Sequence, residues 1–162
     1  MAESRPAAPA PGPADRGGHP GAGHSPKTCP SSSCTEGALL LGVMTSEGRL
    51  AYLNPPPPVD AGFAAREASR GSPERRFRFA GRCVEGNRPQ WTGQGCAIAD
   101  LAADAVDIGL PASPRHLPAC SIRHSCRWYS QRGPAACAAC PLIVADMGGT
   151  ETYRSSQGGA QR

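Results

Sequence analysis

Between Cys120 and Cys140 the chain carries four cysteines, and it offers little else to fold around. Cys137 and Cys140 are three residues apart, so in a helical turn they share a face and both sulfurs can reach one centre. Gly133 and Pro134, just before them, can turn the backbone so that Cys120 and Cys126 come back to the same place. Such a centre is needed. The 162 residues include 20 glycines and 18 prolines, and only 5% are aromatic. Ordering each residue costs about 1–2 kcal/mol of backbone entropy, and a chain this poor in apolar area offsets little of that by burial. A small core of this kind calls for a staple, either disulfides or a metal.

Compartment decides between the staples. The N-terminal stretch from Met1 to Lys27 is broken throughout by proline, glycine and charge, with no apolar run of signal-peptide length. No segment approaches the roughly 20 apolar residues that span a bilayer. The expectation is a cytoplasmic protein without membrane contact. Thiols stay reduced there, and clustered cysteines read as metal ligands or redox centres.

Four thiolates suit either tetrahedral zinc or an iron–sulfur cluster. Zinc ribbons use two Cys-x-x-Cys knuckles, and this chain has one, at Cys137 and Cys140. Unequal cysteine spacings among short helices also fit a cuboidal cluster better. Cys140-Pro141 resembles the terminal Cys-Pro of bacterial ferredoxin motifs, a resemblance of motif and not of fold. The expected cofactor is therefore an iron–sulfur cluster of the [4Fe–4S] type held by Cys120, Cys126, Cys137 and Cys140, with zinc as the alternative. The other four cysteines form two pairs. Cys83 and Cys96 flank a glycine-rich loop that could wrap a cluster with its backbone N–H groups. Cys29 and Cys34 lie near the N-terminus. These four could make a second site, or Cys83 or Cys96 could join the C-terminal group. The plain alternative is that isolated cysteines are small core hydrophobes.

Around these residues the sequence suggests a small α+β, loop-rich domain with a short hairpin and three or four short helices. Residues 1–35 read as a disordered tail, 36–147 as the Cys-rich domain and 148–162 as a flexible tail. Two apolar runs, Ala38 to Met44 and Arg49 to Leu53, predict a β-hairpin ended by Pro55 to Pro58, a polyproline II spacer. Asp60 is placed to cap a helix through Phe63 and Glu67, broken at Gly71 to Pro73. Arg76-Phe77-Arg78-Phe79 alternates as a strand with the phenylalanines inward. Cys96 to Ile108 predicts a helix with Ile98, Leu101, Ala105 and Ile108 inward, and Asp100, Asp104 and Asp107 on the wet side. A helix over about 121–131, stopped by Gly133, precedes one that starts at Pro134 and carries Cys137 and Cys140.

His116 and His124 could replace a cysteine as ligand, but read first as solvent-facing. Trp128 and Tyr129 read as aromatics shielding the site. Arg115, Arg123, Arg127 and Arg132 surround it with positive charge, which favours thiolates and could engage an acidic partner or a phosphate. The arginine–aromatic interleaving at Arg76 to Phe79 and Arg127 to Tyr129 permits nucleic-acid binding, though a solvated arginine face is the default. No phosphate-binding, dinucleotide or nucleophile-elbow motif points to an enzyme. The sequence thus leads to an iron–sulfur protein that carries electrons to, or senses redox state for, a larger protein partner. A zinc-stapled protein- or nucleic-acid-interaction module and a metal-free interaction protein with reactive thiols are the alternatives.

Overall fold

The computed structural model describes residues 26–144, so the expectations for 148–162 and for most of the N-terminal tail lie outside the described residues. Among the described residues, strands β1 (Thr28–Ser32), β2 (Leu39–Met44), β3 (Leu50–Tyr52) and β4 (Phe77–Arg82) form one antiparallel sheet in the order β1-β4-β2-β3. Helices α1 (Ala61–Ala68), α2 (Ala97–Asp107) and α3 (Arg127–Ala139) complete a small α+β fold. No helix among the described residues is long and apolar enough to cross a membrane.

The hairpin β2–β3 forms as its apolar runs predict, with Val43 opposite Ala51. The proline run does more than end it. Pro57 and Val59 continue beside the first half of β2, where the Pro57 carbonyl accepts from Leu40 N and Val59 N donates to Ala38 O. Proline carbonyls can accept although their nitrogens cannot donate. Asp60 caps α1 as expected, its Oδ1 accepting from Phe63 N at 2.7 Å.

Three placements differ from the sequence reading. Thr28–Ser32, inside the segment read as tail, is a strand, and Pro30 is tolerated there because β1 is a sheet edge. On β4 the arginines do not all face water: Phe79 is fully buried, and so is its neighbour Arg78. This strand is internal to the sheet and covered on both faces. On α2, Leu101 is 67% and Ile108 88% exposed, while Ala99, Ala102 and Ala103 are buried. The alanine stripe packs on Ala136 and Ala139 of α3, because small side chains let two backbones approach closely. Asp100 and Asp104 then reach Arg132 of α3 at 3.1 and 2.7 Å.

Helix α3 is two short helices joined at Gly133, whose φ of 61° and ψ of −147° break the helical path. Pro134 follows and restarts it, as the sequence suggests. The predicted start near residue 121 is instead a 3-10 turn, Arg123–Ser125, and the helix begins at Arg127.

Candidate metal centre

The break at Gly133 lets the second half of α3 carry Cys137 and Cys140 back toward Cys126, which stands just before the first residue of α3. Cys126, Cys137 and Cys140 are buried and Cys120 is half-buried. Their sulfurs act on one another. Burial pushes the Cys126 thiol up to about 12, against the amides of Tyr129 and Trp128 at the open end of α3, and the sulfurs of Cys140 and Cys120 add to the rise. Burial raises Cys120 as well, and Cys140 and Cys137 raise it further. Cys137 is raised by burial and by Cys140, and held down by Arg123. Cys140 thus acts on all three of the other thiols, and Cys120 is coupled to both Cys126 and Cys137. Among the described residues, however, no three His, Cys, Asp or Glu side chains converge closely enough to hold one metal ion.

Cations and unpaired donors surround these sulfurs. Arg78 is 1% exposed. Its Nη1 donates to Cys140 Sγ at 3.3 Å and its Nη2 to the carbonyls of Cys140 and Ile143. Its guanidinium lies 5.8 Å from the Trp128 ring centroid. No carboxylate among the described residues pairs with it, and its Nε has no hydrogen-bond partner. Arg123 Nε donates to Cys137 Sγ at 3.4 Å while its Nη2 donates to Pro118 O. The buried Tyr52 hydroxyl also lacks a hydrogen-bond partner. Burial raises its pKa and the nearby sulfur of Cys140 raises it further. A buried guanidinium without an anion costs several kcal/mol, and buried donors without acceptors cost about 1–3 kcal/mol each. The donor set of four thiols, two arginines and a tyrosine fits an anionic centre that would accept these hydrogen bonds.

The remaining cysteines do not form the foursome suggested by the sequence. Cys29, Cys83 and Cys96 line one narrow recess, at the start of β1, just after β4 and just before α2. Cys34 is elsewhere, packed against the cluster of Ala38, Val59 and Phe79. Glu74 Oε1 accepts from its backbone N at 2.8 Å, and burial and the Glu74 and Glu67 carboxylates raise its thiol. A thiol in apolar surroundings beside two acids is disfavoured as a thiolate, and Cys34 is half-buried against the core of Ala38, Val59 and Phe79. Cys96 also belongs to the buried cluster between α2 and α3 that holds Cys126 and Cys140. His116 and His124 are exposed, as expected of solvent-facing histidines. Trp128 is 1% exposed and Tyr129 half-buried, both within the core of α2 and α3.

Sequence reasoning missed Arg78 and Tyr52. The motif Arg76 to Phe79 marks a strand, but only the sheet order shows that both faces of this strand are covered. Tyr52 ends β3 with nothing in its local pattern to point at a cysteine 88 residues away. The chain matches no known protein family, no curated protein and no solved structure.

Proposed function

We propose that this chain is a small iron–sulfur protein whose cluster is held by Cys120, Cys126, Cys137 and Cys140, and that it passes electrons to, or reports redox state to, a larger partner. One observation carries the reading: Arg78, buried and without a carboxylate among the described residues, directs its guanidinium at Cys140. A buried cation persists where an anion compensates it, and beside two backbone carbonyls the side chain it meets with a hydrogen bond is the Cys140 thiol. Arg123 on Cys137 and the unpaired Tyr52 hydroxyl support the same centre. A cuboidal cluster spreads its thiolates over several irons, so it asks for a wider arrangement of sulfurs than one zinc ion does. Cys140 acts on the thiols of both Cys126 and Cys120, while no three His, Cys, Asp or Glu side chains among the described residues are placed to hold one metal ion. When bound, a cluster supplies a one-electron centre. The protein's own contribution is to exclude water with Trp128, set the charge with Arg78 and Arg123, and donate hydrogen bonds to sulfur, each of which tunes potential.

The test is metal and sulfide analysis with a visible spectrum on anaerobically isolated protein, for wild type and Cys137→Ser. Brown protein containing iron and acid-labile sulfide, with a loss of four irons in the variant, is the expected result. Colourless, iron-free, folded wild type would overturn the reading, and stoichiometric zinc would replace it with the zinc-stapled module.

A further inference from the structure

An open cleft of about 590 Å³ lies where β1 begins and β4 ends. Its size falls within the range of small-molecule sites, roughly 300–1,000 Å³. The β1–β4 ladder supplies part of its lining. Thr28 pairs with Arg82, and one step further along Cys83 N donates to Lys27 O at 2.8 Å. Lys27, Arg82 and Cys83 are thereby held together at the cleft. Arg127 of α3 adds a third cation. The start of α3 is tied to the start of β1 by a bridge between Thr28 and Cys126 and by a 2.8 Å hydrogen bond between the Thr28 and Ser125 hydroxyls.

The charge of the cleft is unbalanced. Glu85 is the acid among its lining residues, and Arg127 takes it in an ion pair while stacking 5.1 Å from the Trp91 ring centroid. Glu85 holds a φ of 42°, an uncommon conformation for a residue with a Cβ, where the 3-10 turn Glu85–Asn87 borders the cleft. The Arg127 Nε is buried with no hydrogen-bond partner. Lys27 is half-buried and Arg82 exposed, and no carboxylate among the described residues pairs with either. Cations gathered on a cleft with low-dielectric walls concentrate small anions there. Cys83, the thiol of this cleft, is half-buried, whereas Cys29, Cys96, Cys126, Cys137 and Cys140 are buried. Of the other half-buried thiols, Cys34 lies beside the Glu74 and Glu67 carboxylates and Cys120 belongs to the C-terminal group.

We propose that this cleft captures a small disulfide bearing carboxylates, such as glutathione disulfide, and that Cys83 exchanges with it to form a mixed disulfide. Lys27 and Arg82 pair with carboxylates of the half that is retained. In the exchange the Cys83 thiol gives its proton to solvent and the thiolate attacks one sulfur of the disulfide. A new S–S bond forms at Cys83, the original S–S bond breaks, and the other half leaves as a thiolate that takes up a proton. The Cys83 sulfur is oxidised and the released half reduced, so the disulfide itself is the oxidant. The modification is a reversible cap on the thiol. It uses none of the four cysteines of the iron–sulfur reading and does not rest on that reading.

Full-length protein, isolated anaerobically, tests it by timed intact-mass measurement and peptide mapping after addition of glutathione disulfide. The first glutathionyl group should appear at Cys83, and a thiol reductant should remove it. Cystamine, a cationic disulfide, should react at Cys83 about tenfold more slowly than glutathione disulfide at low salt, and added salt should close the gap. Hydroxyethyl disulfide is the neutral reference. Lys27→Gln combined with Arg82→Gln should leave the neutral rate unchanged and remove the preference for the anion, a result that a merely structural role for the two cations would not give. The comparison of disulfides on wild type needs no substitution, so a poorly folded variant does not decide the matter. A first addition at Cys34 or Cys120, equal rates for the anionic and cationic disulfides, or a double variant that keeps the preference would overturn the proposal. So would a Cys83 that stays unmodified. Metal and sulfide analysis reads the cluster separately, so the two proposals fail independently.

Discussion

Replacing Arg78 by methionine should change stability in opposite directions with and without the cluster. The guanidinium lies 3.3 Å from Cys140 Sγ. At an effective dielectric constant of about 20, a full charge pair at that distance is worth about 5 kcal/mol. Removing one member of such a buried pair costs about 3–5 kcal/mol. In the metal-free protein burial raises the Cys120, Cys126 and Cys137 thiols above their ordinary value, which keeps these three neutral at pH 7. Arg78 is then a buried cation facing no anion, and an apolar side chain of similar length, packed on Trp128 in its place, should be neutral or stabilising by about 1–4 kcal/mol. With thiolates and a cluster present, the same substitution should destabilise by about 3–5 kcal/mol and lower the reduction potential on the order of 100 mV, since each tenfold in equilibrium is about 59 mV for one electron. The assay is anaerobic chemical denaturation of reconstituted and chelator-treated Arg78→Met beside wild type, with potentiometric titration of the reconstituted pair. Equal stabilities in both states and an unchanged potential would refute the argument that Arg78 balances an anionic centre.

Three further outcomes follow from the structure. Gly133→Ala should destabilise by about 1–3 kcal/mol, because φ of 61° with ψ of −147° is strained for any residue with a Cβ; a shift of the urea midpoint at unchanged slope reads it, and no shift would mean the helix break moves freely. Ala102→Leu should cost about 1–3 kcal/mol or more by overpacking the α2–α3 contact, whereas Ile108→Ala, at an 88% exposed position, should stay within about 0.5 kcal/mol; the reverse order in thermal denaturation would restore the apolar stripe as the buried face. The metal-free protein should lose stability as pH rises: the folded Cys126 thiol titrates at about 12 and its ordinary value is 9.0, so the unfolded chain ionises first and the stabilising preference for the neutral thiol is complete below about pH 9 and lost toward pH 12. Denaturation midpoints at a series of alkaline pH values check the sign, and a rise in stability across that window would contradict the burial of Cys126.

Local rules made some of this legible. Asp60 announces the α1 cap, Gly133-Pro134 announces the break in α3, and the hairpin follows from two apolar runs about a glycine turn. Each depends on residues within a few positions of one another. The errors came where a distant partner decides. Hydrophobicity alone ranks Leu101 and Ile108 above Ala99, Ala102 and Ala103, but α3 presents Ala136 and Ala139, and close approach selected the small face. Thr28–Ser32, polar and with a proline, looks like a turn until β4 supplies an edge to pair with. Cys34 and Cys29 look like one pair in sequence, yet Cys29 faces the recess with Cys96 while Cys34 turns into the phenylalanine core.

The same close helix contact explains why both sets of thiols are held on so small a core. Cys96 stands just before α2 and Cys126 just before α3, so each sulfur meets the free amides of a helix start, which favour negative charge. Gln131 and Arg132 of α3 bind Cys96, Asp100 and Asp104 of α2, fixing the two helix starts relative to each other. From that frame, Arg127 turns to the recess while Trp128, the next residue, enters the core between the helices and beneath Arg78. Three consecutive residues, Cys126, Arg127 and Trp128, thus serve a thiol group, a recess and the packing that separates them from water. A chain with few aromatics spends one of its two tryptophans at this point. Burial of that ring is worth about 1.5–3 kcal/mol or more, and its indole N–H lowers the Cys96 thiol against the rise that burial brings.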